Sequence, residues 1–342
     1  MARMRGGRGA VWMIAVAACL AACGLRRPAV DPPPHYDEAF FARKPFPTWT
    51  IPTPRPGVPS DTVVGEQRSV SVREGDTLLD LARLHGLGFE EIVAANPGID
   101  PWLPPPGAQV VLPTAFVLPC CRYQGLVLNI PEMRLWYFRP GPTPGTTVVH
   151  THPVGLGRDE FRTPTGTFHI AGKTANPAWS VPERIRQERM RERGDARGFI
   201  RGGAPDNPLG AHRFELNRTL YRIHGTNFPW GIGRQVSHGC AQLYPEDMAR
   251  LFPLVPIGTR VEFTYQPLKV GRRGDATWVE LHPDLYRRGR VTYAAARATL
   301  RAQGLSADPE RLRAALRASD GVARRVDGPP RAVAARDHDG ES

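Results

Sequence analysis

Cysteine is scarce in this chain, with five among 342 residues. No group of cysteines and histidines at zinc-site spacing can be assembled from them, so a structural metal is not expected. No helix-turn-helix, zinc-finger or RNA-binding signature is present, which argues against a nucleic-acid partner. There is no internal repeat. No apolar run approaches the roughly 20 residues that cross a bilayer. Acidic residues are few beside basic ones, 33 against 45, giving a formal net charge of +12. That excess suits a polyanionic partner, or simply an arginine-rich solvated surface. What the chain does have in quantity is proline (36) and glycine (35). They are unevenly spread, so part of the chain reads as linker.

The first residues set the compartment. Met1–Gly9 is short and basic, and Ala10–Ala22 is apolar. The run ends in Leu20-Ala21-Ala22-Cys23-Gly24, which resembles a bacterial lipobox. Residues 1–22 are therefore read as a signal peptide, with Cys23 the lipidated new N-terminus. An ordinary secretory signal is the alternative. Gly24, where aspartate would retain a lipoprotein in the inner membrane, points to the outer one. The expected location is the periplasm, lipid-anchored. Cys120, Cys121 and Cys240 then remain in an oxidising space. Neighbouring Cα atoms lie about 3.8 Å apart, short of the roughly 4.4–6.8 Å that disulfides prefer, so a Cys120–Cys121 bridge would be strained.

Residues 23–66 are proline-rich and lack apolar periodicity, and read as an extended tether. Residues 67–114 change character. Ser69-Val70-Ser71-Val72 alternates like a strand, and Glu74-Gly75-Asp76 is a turn. Thr77 with Asp80 makes a capping box. Leu78, Leu81, Ala82 and His85 follow at helical spacing up to Gly86. Phe89–Ala95 is a second helix and Gln109–Leu112 a second strand. Residues 123–265 show many short apolar runs punctuated by Gly and Pro, a mostly β domain. It is interrupted by a charged helical insertion, Pro182–Arg193, and a helix at Pro245–Leu254. Residues 266–318 read as a strand pair followed by a helical hairpin. Residues 319–342 are polar and read as disordered.

The chemistry concentrates in "YRIHGTNFPWGIGRQVSHGCAQL", Tyr221–Leu243. Cys240 follows a glycine, with His238 two positions before it and His224 further upstream. An unpaired cysteine in an exported protein is a candidate nucleophile. Its thiolate attacks, and a histidine within hydrogen-bond reach generates it. Gly239 permits close approach of backbone to substrate.

"HGT…SHGC" resembles the signature of the YkuD-type L,D-transpeptidase domain. "PEMRLWYF", "PVGLGRDEFRTPTGTFHI", "NPAW", "PDNPLG" and "YPEDM" are similar to its ErfK/YbiS branch. The segment "REGDTLLDLARLHG…ANPGID" resembles a LysM domain. The fold implied is a mostly β, YkuD-like sandwich or barrel with short helices, beside a small β-α-α-β LysM domain. The resemblance implies Cys240 as nucleophile and His224 as base, with the Gly225 carbonyl orienting the imidazole. It implies that His238, Gly239 and Cys240 supply oxyanion-hole N–H groups. Ser237, Asn227, Trp230, Arg222, Arg234 and Gln242 are the implied substrate contacts. The LysM resemblance implies glycan contacts at Gly75, Asp76, Thr77, Asn96, Pro97 and Ile99. The implied reaction is attack of Cys240 on the tetrapeptide stem of peptidoglycan, loss of D-alanine, and transfer of the acyl group. The acceptor amine belongs to a second stem or to a lysine of an outer-membrane protein. No metal or cofactor is implied. Gln242 departs from the branch, which has arginine there; a glutamine keeps hydrogen bonds but loses the charge. Arg222 or Arg234 could compensate. Two other readings stay open: a catalytically weak LysM lipoprotein tethering membrane to wall, and a thiol hydrolase releasing wall-anchored proteins.

Overall fold

The computed structural model describes residues 36–55, 60–217 and 220–328. The signal segment and Cys23 lie outside the described residues. The centre of the molecule is a nine-stranded mixed sheet. Its order is Thr48–Pro52, Thr146–Pro153, Arg134–Pro140, Gly125–Asn129, Arg260–Thr264, Gly166–Ala175, His212–Leu216, Arg222–His224 and Ala241–Gln242. Most pairs are antiparallel. Gly125–Asn129 runs parallel to Arg260–Thr264, and Arg222–His224 parallel to Ala241–Gln242.

The inner strands bury nearly every residue because both faces are covered. Side chains alternate between faces along a strand. Leu126, Leu128 and Leu135 join one core with Met248 and Leu251 of helix α5 (Pro245–Leu254). Val127, Trp136, Phe138 and Val149 point the other way, into a second core. That core is completed by Leu78, Leu81 and Ile92 of α2 (Leu78–Leu84) and α3 (Phe89–Ala95). These are the helices of the β-α-α-β unit, whose strands Arg68–Ser71 and Gln109–Leu112 pair antiparallel. Thr77 and Asp80 form the capping box expected at the start of α2. The small module is thus packed on the sheet and shares its core.

The tether reading does not describe the chain from residue 36 onward. A short helix α1 (Glu38–Phe41) packs beside α2, and Thr48–Pro52 is the edge strand of the main sheet. Proline is tolerated at that edge because one side of the strand needs no ladder bonds. Between them Lys44 is fully buried and reaches Glu246 (3.0 Å) and Asp247 (3.1 Å) of α5. Arg83 of α2 bonds Glu246 through Nη2 (2.8 Å) and Glu38 (2.6 Å). Burial pushes the Glu246 carboxyl up, but the Arg83 bonds and the Lys44 charge outweigh it and hold it below the usual range. Three segments distant in sequence are joined by one buried ionic cluster.

The C-terminal part carries strands Leu268–Arg273 and Ala276–Leu281 and helices α6 (Tyr293–Ala302) and α7 (Pro309–Ala318), as the periodicity leads one to expect. Its end differs from expectation. Arg324–Arg325 pairs with Ala276–Leu281, and Val322, Ala323 and Val326 are buried, so order extends past residue 319. The rest of the polar tail lies outside the described residues. Among the described residues no helix is long and apolar enough to cross a membrane.

Candidate active site

Strand register brings the motif residues together. Ile223 pairs with Ala241 and His224 with Gln242 in parallel. Ile223 and Ala241 are fully buried in the α5-side core. Alternation therefore places Arg222, His224, Cys240 and Gln242 on the opposite face, with His224 and Cys240 on diagonal positions of neighbouring strands. Leu243 N–H bonds the His224 carbonyl (2.9 Å), locking the pairing.

His224 is buried, and its Nδ1 lies 2.6 Å from the Gly225 carbonyl oxygen. A carbonyl only accepts, so Nδ1 carries the proton and Nε2 keeps a lone pair. Burial pushes the imidazole down to about 4. It is consequently neutral near pH 7 and able to take a proton. The Cys240 thiol is raised by burial, partly offset by a main-chain hydrogen bond from Arg222 and by its charge. Burial thus disfavours the charged form of both side chains.

The turn into Cys240 is held by Ser237. Its Oγ donates to the Cys240 carbonyl (2.7 Å) and accepts the Gly239 N–H (3.1 Å). Gly239 sits at φ +103°, and a Cβ there would fall 2.5 Å from Tyr221 Cε1. Its N–H is committed to Ser237, so its contribution is conformational, and Ser237 works as a staple. Thr163, fully buried, donates to the Gly239 carbonyl (3.1 Å). Its own N–H is held by Tyr286 Oη (3.0 Å), which also bonds the Gly157 carbonyl (3.1 Å). Neither Thr163 nor Tyr286 was singled out from sequence. The only signal was the "TPTG" within a stretch recognised by resemblance.

The chain is similar to known proteins across both of its domains. Residues 124–263 match the L,D-transpeptidase catalytic domain model and residues 70–113 the LysM domain model. "Probable L,D-transpeptidase YbiS" of Escherichia coli K12 is 36% identical over 240 residues, 69% of this chain and 76% of that protein. The chain belongs to the L,D-transpeptidase family. "Probable L,D-transpeptidase ErfK/SrfK" of the same organism is 35% identical over 286 residues, covering 80% of this chain and 89% of that protein. A solved L,D-transpeptidase from Mycobacterium smegmatis aligns at 20% identity with a TM-score of 0.30, over 46% of this chain and 63% of that one.

As an enzyme of this family the chain departs from simple expectation at several residues. His238 turns toward α4 (Glu183–Arg193), the charged insertion. Its Nε2 lies 2.7 Å from Glu188 Oε2 and 2.8 Å from Arg158 Nη2, and its ring packs on Phe161 at 4.4 Å. That nitrogen is thereby engaged by Glu188 and Arg158. Arg234 leaves the cleft. Its guanidinium covers the Phe89 ring of the LysM module at 5.0 Å and lies 3.9 Å from Glu90. It cannot make up for Gln242. Arg222 stays on the Cys240 face, its Nη1 bonded to the Tyr221 carbonyl (2.9 Å). Asn227 and Trp230 are exposed on the loop between His224 and Cys240, with Asn227 donating to the Pro205 carbonyl (3.2 Å).

The LysM candidates divide as well. Asp76 accepts from Arg73 N–H (2.8 Å) and Tyr36 Oη (3.1 Å). Asn96 donates to the Ile92 and Val111 carbonyls (2.8 Å each) and accepts the Val111 N–H (2.7 Å). Thr77 caps α2, and Ile99 packs against the core. Those side chains are spent on the fold, leaving Gly75 and Pro97 as the exposed edges. Sequence reasoning missed Trp102 and Leu103, both exposed just past this loop.

Cys120, Cys121 and Cys240 are free thiols; burial pushes Cys121 up to about 12. Among the described residues Glu132, Glu280 and His282 form a buried cluster of ligand type. Lys269 Nζ sits within it, 2.6 Å from Glu132 and 2.7 Å from Glu280. The positive charge such a cluster needs comes from a lysine.

Proposed function

We propose that this L,D-transpeptidase acts on peptidoglycan tetrapeptide stems through a Cys240 thioester. The observation that carries the reading is His224: neutral, with Nδ1 tied to Gly225 O and the lone pair therefore on Nε2, on the same sheet face as Cys240. Cys240 Sγ attacks the carbonyl after the L-centre of diaminopimelate while His224 Nε2 takes the thiol proton. The tetrahedral intermediate collapses, His224 returns the proton to the departing amine, and D-alanine leaves. An acceptor amine then attacks the thioester, gives its proton to His224, and restores the thiol. The acceptor is a second stem or a lysine of an outer-membrane protein. The packed LysM module would hold the glycan strand that carries the donor.

The leader and Cys23 extend the proposal to a periplasmic protein anchored by lipid in the outer membrane. Cys23→Ser should then yield a soluble or unprocessed protein. The catalytic assignment is tested with Cys240→Ala. It should keep its melting temperature and release no D-alanine from tetrapeptide stems. Continued release would make another residue the nucleophile.

A further inference from the structure

Among the described residues the cations near Cys240 are already engaged, although a donor stem carries free carboxylates. Arg222 bonds the Tyr221 carbonyl (2.9 Å) and its charge acts on the Cys240 thiol itself. Gln242 is neutral. Arg234 lies on the LysM module, and Arg213 pairs with Glu215 (2.5 Å). Arg158 reaches the site, but Glu188 neutralises it at 2.6 Å. Arg162 pairs with Asp159 at 2.5 Å.

Arg184 is different. It stands on α4 one turn before Glu188, so both face the same way. Glu188 fixes that face, because it bonds Arg158 and His238. Arg184 Cζ lies 4.3 Å from the centroid of Phe161, whose ring packs at 4.4 Å on His238. Its side chain is exposed and has no carboxylate partner among the described residues; Glu183, its neighbour, is taken by Arg186 and Gln187. The helix itself is anchored: Arg189 bonds Asp195 at its end and covers Trp179, and Val181 N–H bonds the Gly198 carbonyl (2.9 Å).

We propose that Arg184 is a substrate-specificity residue, recognising a non-terminal carboxylate of the acyl-donor stem. A guanidinium held over an aromatic ring loses freedom while keeping N–H groups for other partners, and its planar fork matches a carboxylate. The chain Arg184–Phe161–His238 places that fork beside the turn carrying Cys240. The charge missing at position 242 is thereby supplied from the helical insertion. This rests on the acylation reading above.

The test is the second-order rate of Cys240 acylation by a tetrapeptide stem, beside the same peptide with its non-terminal carboxylates amidated. Arg184→Gln should slow reaction with the free acid by about tenfold, the scale of one charge-assisted hydrogen bond. The loss should appear in KM more than in kcat, and the amidated peptide should react at an unchanged rate. Arg184→Lys, with charge but no fork, should fall between. Equal rates for wild type and Arg184→Gln on the free acid, or equal slowing on both peptides, would overturn the assignment. A wild type that forms no adduct with either peptide would defeat the acylation reading, and this inference with it.

Discussion

Gly233 and Gly88 touch backbone to backbone across the junction of the catalytic sheet and the LysM module. A Cβ on Gly233 would lie 2.4 Å from Gly88 Cα and 2.3 Å from Phe89 N. Phe89 and Glu90 N–H groups at the start of α3 bond the carbonyls of Ile232 (3.2 Å) and Gly233 (3.3 Å). The same loop runs directly into Gln235–Ser237 and Cys240. The LysM module therefore buttresses the segment that leads to Cys240.

Gly233→Ala should separate these surfaces. The residue sits at φ +79°, where a Cβ costs about 1–2 kcal/mol before the clash is counted. A fall of several degrees in melting temperature should accompany slower acylation. Unchanged stability and rate would mean that the two modules do not lean on each other here.

Deleting residues 67–114 should not leave a working catalytic domain. Val127, Trp136, Phe138 and Val149 would lose their cover and form an exposed apolar patch. The truncated protein should aggregate or bind a hydrophobic dye. A monodisperse and active truncation would contradict the shared core.

Arg83→Ala leaves Glu246 buried with one partner fewer, a change that costs about 3–5 kcal/mol. The deficit should be read from urea midpoints. Glu246 and Asp247 are both held below their ordinary range. For Asp247, burial pushes up and the Lys44 charge and His152 contact pull harder down. Their stabilisation is present above the ordinary carboxylate value near about 4 and is lost as pH falls through the depressed ones.

His224 gives a separate pH signature. Its folded value of about 4 lies below the ordinary imidazole value of about 6.5. As pH falls below about 6.5 the unfolded chain gains a proton that the native chain refuses until about 4. Stability is lost across that window, by up to about 3 kcal/mol. His224→Gln should lessen this slope, to which His150, also pushed down to about 4 by burial, adds its own share, and should lower acylation by about 10²–10⁴-fold. A wild-type rate whose acid limb lies near about 6.5 would contradict a neutral, buried base.

Ser237→Ala should lower kcat for acylation by about tenfold or more while leaving KM nearly unchanged, because its two bonds shape the turn rather than touch substrate. Ser237→Thr should recover most of the rate. A change confined to KM would return Ser237 to the substrate contacts.

Local signals carried much of this structure. The Thr77–Asp80 box started α2 where expected, and the alanine and leucine stripes of α6 and α7 were visible in sequence. Membership of the L,D-transpeptidase family was legible from the motif around His224 and Cys240. What escaped depends on distant partners. Thr48–Pro52 looks like linker until Thr146–Pro153 offers a ladder, and Lys44 has no sign of burial until Asp247 meets it. Glu188 sits in a helix whose charges read as solvated, yet it holds His238 from fifty positions away. Arg234 reads in sequence as a charge that could compensate for Gln242, whereas the loop turns it onto Phe89.

The central claim is that Cys240 accepts the stem as a thioester with His224 as base. Intact mass of the protein mixed with a tetrapeptide stem tests it directly. Wild type should gain the mass of the stem less D-alanine, localised to Cys240 and discharged by an added amine, while Cys240→Ala and His224→Gln gain nothing on the same timescale. Release of D-alanine by wild type with no adduct at Cys240, or an undiminished adduct in His224→Gln, would contradict the account.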